Sequence, residues 1–181
     1  MKIRKFRLAE LPRIMEIERA SFGPDSYGPA TFMAHVFRDR KGFFVAEGES
    51  CEILGYVLVR LGLGWLGARR GGITSIAVAQ DHRRRGIGRG LLSQALGYLR
   101  EKRVGEVDLE VSLTNEAAKG MYEQFGFRRS RVLPHYYGAN RHGVRMVLDL
   151  TGEAAEAGST RGATGEAEAG EMRGLEHGCQ E

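Results

Sequence analysis

A chain of 181 residues with 42% apolar side chains can bury one sizeable core and is short for two ordinary domains. The net charge of +4 is unevenly spread: residues 151–181 hold seven glutamates against two arginines, which leaves +9 on residues 1–150. The first seven residues are charged and lack a signal-type apolar region, and no apolar run approaches the ~18 residues of a membrane span, so a cytoplasmic protein with no membrane partner is expected.

Ile3, Phe6 and Leu8 mark an imperfect edge strand over Lys2–Leu8. Leu11, Ile14, Met15, Ile17 and Glu18 recur at helical spacing, with Pro12 tolerated in the first turn. Gly23-Pro24 ends that helix, and the loop Asp25–Gly28 leads to a second one from Pro29 to about Arg38, with Phe32, Val36 and Phe37 expected inward. Phe43–Glu47, Ile53–Leu61 and Ile73–Val78 read as successive antiparallel strands, and Gly62–Gly72 as a long hairpin with Trp65 at its tip. Cys51 and Cys179 are isolated, so neither a disulfide framework nor a zinc cluster can be read, and Cys51 is expected simply to pack.

After Val78 the chain becomes polar and arginine-rich: Arg83, Arg84, Arg85 and Arg89 are interleaved with Gly86, Ile87, Gly88 and Gly90, and an apolar helical pattern starts at once. Glycines let backbone amides approach a ligand without a Cβ in the way, and a helix start offers unpaired N–H groups at the positive end of a dipole. This combination fits a phosphate. No Gly-Lys-Ser/Thr follows, which excludes a P-loop, and the motif lies mid-chain behind a single crossover rather than after the first strand of a repeated βαβ series. A basic turn that merely starts a helix is the plain alternative.

Leu91, Leu92, Ala95, Leu96 and Leu99 trace one helical face to about Arg103, and Val107, Leu109 and Val111 alternate with Asp108, Glu110 and Ser112 as a strand. Strand, helix, strand over Ile73–Ser112 implies a right-handed crossover and a parallel pair. Asn115 suits an N-cap for a helix whose apolar face is Ala117, Ala118, Met121, Tyr122 and Phe125, with Gly126 at its C′ position. By spacing alone Tyr122 is a core aromatic. Phe127–Leu133 and Arg145–Leu150 complete the sheet around the turn Gly138–Gly143, which carries Arg141 and His142. The tail 151–181 is rich in Gly, Ala and Glu and cannot offset the entropy of ordering, so it is expected to be disordered and the domain to end at residue 150.

Arg83-Arg84-Arg85-Gly86-Ile87-Gly88 resembles the acyl-CoA pyrophosphate loop of the GNAT superfamily of N-acetyltransferases, and Asn115 through Tyr122 to Gly126-Phe127 resembles the same family's downstream signature. With Glu110 and Tyr136-Tyr137 the likeness is to the RimI type, the protein N-terminal acetyltransferases, over roughly the first 150 residues. The resemblance implies an α/β (α+β) fold: a mixed, mostly antiparallel sheet, flanked by helices, whose central parallel strands splay apart around the pantetheine arm of acetyl-CoA. It implies cofactor contacts at Ile76, Ala77, Val78, residues 83–90, Asn115 and Tyr122, and an acceptor mouth lined by Phe22, Tyr27, Tyr136 and Tyr137.

Attack on a thioester needs a neutral amine, a donor for the developing oxyanion, and help for a thiolate of pKa near ~8.5. On the resemblance, Glu110 acting through a water is the candidate base, Tyr122 the candidate acid, and the amides near Ile76 and Val78 the carbonyl donors. No metal and no covalent intermediate are called for. A protein or peptide N-terminus is the expected acceptor, with a lysine or small amine as the near alternative. A non-catalytic RNA-binding module is the distant one: it would use the Arg83–Arg89 run, but it lacks an RRM aromatic signature, a KH loop and zinc-knuckle spacing. No specific nucleic-acid partner is expected.

Overall fold

The computed structural model describes residues 1–38, 40–63 and 68–151. Strand β1 spans Lys2–Lys5, helix α1 Leu11–Phe22, α2 Pro29–Arg38, β2 Phe43–Glu47, β3 Ile53–Leu63 and β4 Arg69–Val78. Helix α3 covers Ile87–Glu101, β5 Glu106–Ser112, α4 Glu116–Gln124, β6 Arg128–Leu133 and β7 Gly143–Asp149. The seven strands form one sheet in the order β1-β2-β3-β4-β5-β7-β6, with β1 at an edge as its mixed pattern suggests.

All neighbouring strands are antiparallel except β4 and β5, which the α3 crossover makes parallel. Their ladder is short: Arg70 faces Glu106, Gly71 faces Val107, Gly72 faces Asp108, and there it stops. Beyond it, β4 continues to Val78 against β3 alone, and β5 to Ser112 against β7 alone. A wedge therefore opens in mid-sheet.

Each face of the sheet carries its own core. Leu91, Leu92, Ala95, Leu96 and Leu99 of α3 pack on one side together with Val107, Leu109, Met146 and Tyr122. On the other, Ile14, Met15 and Ile17 of α1 and Phe32 and Val36 of α2 enclose Phe43 and Tyr56. The Phe32, Phe43 and Tyr56 rings meet edge-on or tilted at 5.6 to 6.0 Å, a geometry the aromatic quadrupole favours. Truncating a fully buried leucine such as Leu91 to alanine would cost about 2 to 5 kcal/mol.

Three sequence expectations change. Phe37 points outward, 70% exposed, because it lies one residue past Val36 and so about 100° around the helix from the buried Phe32–Val36 face. Cys51, expected to pack, is exposed in a turn with φ 63°. The Gly62–Gly72 segment is mostly strand: Gly62 pairs with Arg70, Leu61 with Gly71 and Arg60 with Gly72. Gly71 is small for packing, since a Cβ there would meet Leu99 Cδ2 at 2.5 Å, whereas one on Gly72 would meet only the movable end of Arg60, Cζ at 2.4 Å. Trp65 and the tail beyond residue 151 lie outside the described residues. No helix among the described residues is long and apolar enough to cross a membrane.

Candidate active site

The wedge between β4 and β5 continues into a cleft of about 670 Å³. Its floor is Ile73–Ile76 of β4 and Leu109–Ser112 of β5; Asn115, just before α4, and Ala118 and Tyr122 of α4 close one side, and Phe22, Tyr27, Tyr136 and Tyr137 line the mouth. Ile76, Glu110, Asn115, Tyr122 and all four expected mouth aromatics thus share one space. Ala77, Val78 and residues 83–90 do not line it; they stand at the end of β4 and the start of α3.

Glu110 follows Asp108 by two residues on β5, so both side chains leave the same face of the sheet. The register sets Glu110 opposite Arg145. That guanidinium goes to Asp108 instead, which also takes Arg60 at 2.8 Å. Asp108 is 5% exposed and so holds two cations away from Glu110.

Tyr122 is 5% exposed, with its ring 5.8 Å from that of Phe127. Burial pushes its phenol pKa up, which keeps the O–H a donor at any ordinary pH. At the mouth, burial again raises the Tyr137 phenol, helped by Tyr136 and Glu110. Burial first, then Glu18 and Glu110, raise Tyr27; burial, then Glu110, raise Tyr136. One carboxylate, Glu110, is felt by all three rings.

Asn115 caps α4, its Oδ1 accepting from Ala118 N at 3.1 Å, which leaves its NH2 group for the cleft. Buried Lys119 donates to the Leu113 carbonyl and to Glu116, fixing the loop that carries Asn115.

Helix α3 starts at Gly86, which adopts φ 79°, and no side chain caps it. Its first internal bond runs from Gly90 N to Gly86 O at 3.0 Å, so the preceding amides lie before the helical ladder. A Cβ on Gly88 would lie 3.5 Å from Met121 Sδ and 3.8 Å from Val78 Cγ2, ordinary contacts, so protein packing does not demand a glycine there. Gly90 is small for another reason, since a Cβ there would meet Ile3 Cδ1 at 3.0 Å. The arginines divide. Arg83 donates to Val78 O at 3.0 Å and Ser21 Oγ at 3.2 Å, and Arg89 to Gln124 while lying over Phe125, so these two brace the loop. Arg84 and Arg85 are exposed, and Ile87 is core.

The structure adds groups that motif reading did not single out. Glu18, 1% exposed, accepts from Tyr56 Oη, from Ser75 Oγ at 3.1 Å and from Tyr27 N at 3.0 Å, so it pins the mouth loop to the sheet. A carboxylate at an apolar-face position of α1 was the available signal. Thr74 Oγ1 is buried in the cleft wall with no partner among the described residues.

Residues 11–127 match the sequence profile of the Acetyltransferase (GNAT) family. The chain belongs to the GNAT acetyltransferases. An N-alpha-acetyltransferase of Sulfurisphaera tokodaii is 32% identical over 157 residues, 82% of this chain and 93% of the relative. The NatC complex bound to Gag peptide and CoA contains a chain that superposes with TM-score 0.77 at 21% identity, covering 83% of this chain and all of that one. The ribosomal-protein-S18-alanine N-acetyltransferase of Escherichia coli gives TM-score 0.70 at 23% identity over 82% and 93% of the two chains. These two structures share the fold of this chain.

The wedge suits the family's donor, acetyl-CoA, on this chain's own features. The strand edges that face each other across it have no ladder partner, Thr74 Oγ1 is an unpartnered polar atom in its wall, and an uncapped helix start with an open Gly88 lies at its end.

Proposed function

We propose that this GNAT enzyme acetylates the N-terminal α-amine of a protein or peptide in the manner of the RimI type, with a small first residue such as Ala or Ser. The observation that carries the reading is the grouping of Glu110, Tyr122 and the Tyr27, Tyr136 and Tyr137 rings around one cleft between the diverging strands. The name of the S. tokodaii relative, N-alpha-acetyltransferase, points the same way.

Bound acetyl-CoA would supply an acetyl thioester. The first-turn amides of α3 and the exposed Arg84 and Arg85 would hold its pyrophosphate, and the open edge of β4 together with the Asn115 amide would meet its pantetheine amides. Amides near Ile76 and Val78 would polarise its carbonyl, and Glu110, through a water, would take the proton of the attacking amine. Tyr122, whose proton burial holds more tightly than usual, would act by hydrogen-bonding the departing sulfur.

A magnitude favours the α-amine. Its reference pKa of ~7.7 to 8.0 against ~10.4 for lysine makes the neutral lysine about 3 to 4 kcal/mol costlier near pH 7. A single water-relayed carboxylate is matched to the easier task. The test is intact mass after incubation with acetyl-CoA of two peptides, one with a free α-amine and no lysine, one with a blocked α-amine and a free lysine. Faster modification of the free N-terminus is expected; equal or faster modification of the lysine peptide would transfer the assignment to side-chain or small amines. Residues 1–150 are proposed to suffice for acetyl-CoA binding, since both cofactor segments lie within them.

A further inference from the structure

A second cavity, of about 290 Å³, opens beside the wedge. His35 and Arg38 of α2, Arg60 of β3, Arg70 of β4 and Arg145 of β7 line it, and the carboxylate of Asp108 lies at its base. Four guanidiniums meet two carboxylates, because Arg70 pairs with Glu106 at 2.9 Å while Arg60 and Arg145 share Asp108. Among the described residues the lining keeps an excess of positive charge, and the buried Nε–H of Arg145 has no acceptor.

This hollow lies beside the acceptor side of the active site. Asp108 and Glu110 are on one face of β5 about 7 Å apart, and Arg145 is the cross-strand neighbour of Glu110. Arg60 is close enough to Tyr27 and Tyr136 to oppose the rise of their phenol pKa values. Tyr27 in turn packs on His35 of the hollow, ring centroids 5.4 Å apart. An extended peptide advances about 3.3 Å per residue, so side chains two or three residues beyond an amine held at Glu110 would pass over the hollow.

We propose that the arginine-lined hollow is an anion subsite for the acceptor, reading a carboxylate side chain at the second to fourth position of the peptide. This rests on the α-amine reading and narrows it to acidic N-termini. An acidic side chain there would accept from the exposed guanidiniums of Arg60 and Arg38, adding a second carboxylate to a lining that has only Asp108. A basic residue would meet like charge, and a neutral one would leave the donors unpaired.

The experiment uses the full chain with CoA and two peptides that share a free N-terminal alanine and a C-terminal fluorophore and differ only in Glu-Glu or Gln-Gln at positions two and three. Binding is read by fluorescence anisotropy, with and without 0.5 M NaCl as a probe of ~4 Å screening. The acidic peptide is expected to bind about five- to twentyfold more tightly at low salt, with the ratio shrinking in salt. In Arg38→Gln and in Arg60→Gln, each checked for fold by circular dichroism, the ratio should fall toward one. Equal affinity for both peptides in the unaltered protein, or a ratio untouched by both substitutions, would overturn the subsite. Because binding is read without acetyl transfer, a failed subsite and a failed choice of acceptor amine leave different records.

Discussion

Arg141 grips Asp25 through two hydrogen bonds of 2.7 and 2.8 Å, tying the β6–β7 turn to the loop between α1 and α2. Both residues line the cleft mouth, so this pair sets the gap through which an acceptor passes. The basic turn seen in the sequence is therefore a clasp, with its arginine already occupied. A bidentate pair this exposed contributes about 0.5 to 1 kcal/mol. Arg141→Ala should raise the acceptor KM about two- to fivefold and leave the acetyl-CoA KM unchanged. Steady-state kinetics with each substrate varied would show it, and Asp25→Arg with Arg141→Asp should recover most of the loss.

Gly88 separates packing from ligand approach. Its Cβ position is open to alanine, so Gly88→Ala should fold normally, while Gly88→Val should raise the acetyl-CoA KM at least about tenfold with a much smaller effect on the acceptor. Isothermal titration with CoA would check it. Unchanged affinity in a folded Gly88→Val protein would move the pyrophosphate elsewhere.

For the chemistry, Tyr122→Phe should lower turnover by about 10- to 10⁴-fold with cofactor affinity retained. Glu110→Gln should slow the reaction most below about pH 7.7, where an α-amine must shed a proton before attack. Turnover measured across pH 6 to 9 decides both. Wild-type rates in both variants would return Tyr122 to the core and Glu110 to an ordinary strand position.

The same tyrosine has a thermodynamic signature. Burial raises the Tyr122 phenol, and burial with the Glu18 carboxylate raises Tyr56. A phenol with a higher pKa folded than unfolded holds its proton more tightly in the folded state. Its contribution is complete below the unfolded value near 10 and is lost as pH climbs from there toward the folded value. Stability from urea unfolding should thus be flat between pH 8 and 9.5 and fall above pH 10 by up to about 1.4 kcal/mol per pH unit for each such tyrosine. Tyr122→Phe should show the shallower fall.

Strand order around the crossover, both flanking helices and the positions of Glu110, Asn115 and Tyr122 were legible because periodicity and two local motifs encode them. Gly71 and Gly72 misled: glycines beside a hairpin look like a turn, whereas both lie in β4, where a Cβ on Gly71 would run into the packed Leu99 side chain. Arg83 and Arg89 carry contacts that local pattern does not reveal. A basic run next to glycines looks like four phosphate ligands, yet the bonds of Arg83 to Val78 and Ser21 and of Arg89 to Gln124 are tertiary contacts that no local pattern announces. Asp108 with Arg60 and Arg145, and Asp25 with Arg141, escaped for the same reason: each joins segments far apart in sequence.

Only three rungs join the four-strand leaf β1–β4 to the three-strand leaf β5–β7. A ligand lying between the leaves would act as a hinge pin as well as a reactant. At 100 times its dissociation constant, a ligand confined to the native state adds about 2.7 kcal/mol to stability. Amides of Ile73–Val78 and Leu109–Ser112 that face the wedge would then slow their hydrogen exchange in step with donor concentration. The supply of acetyl groups would set how long the folded enzyme survives as well as how fast it works.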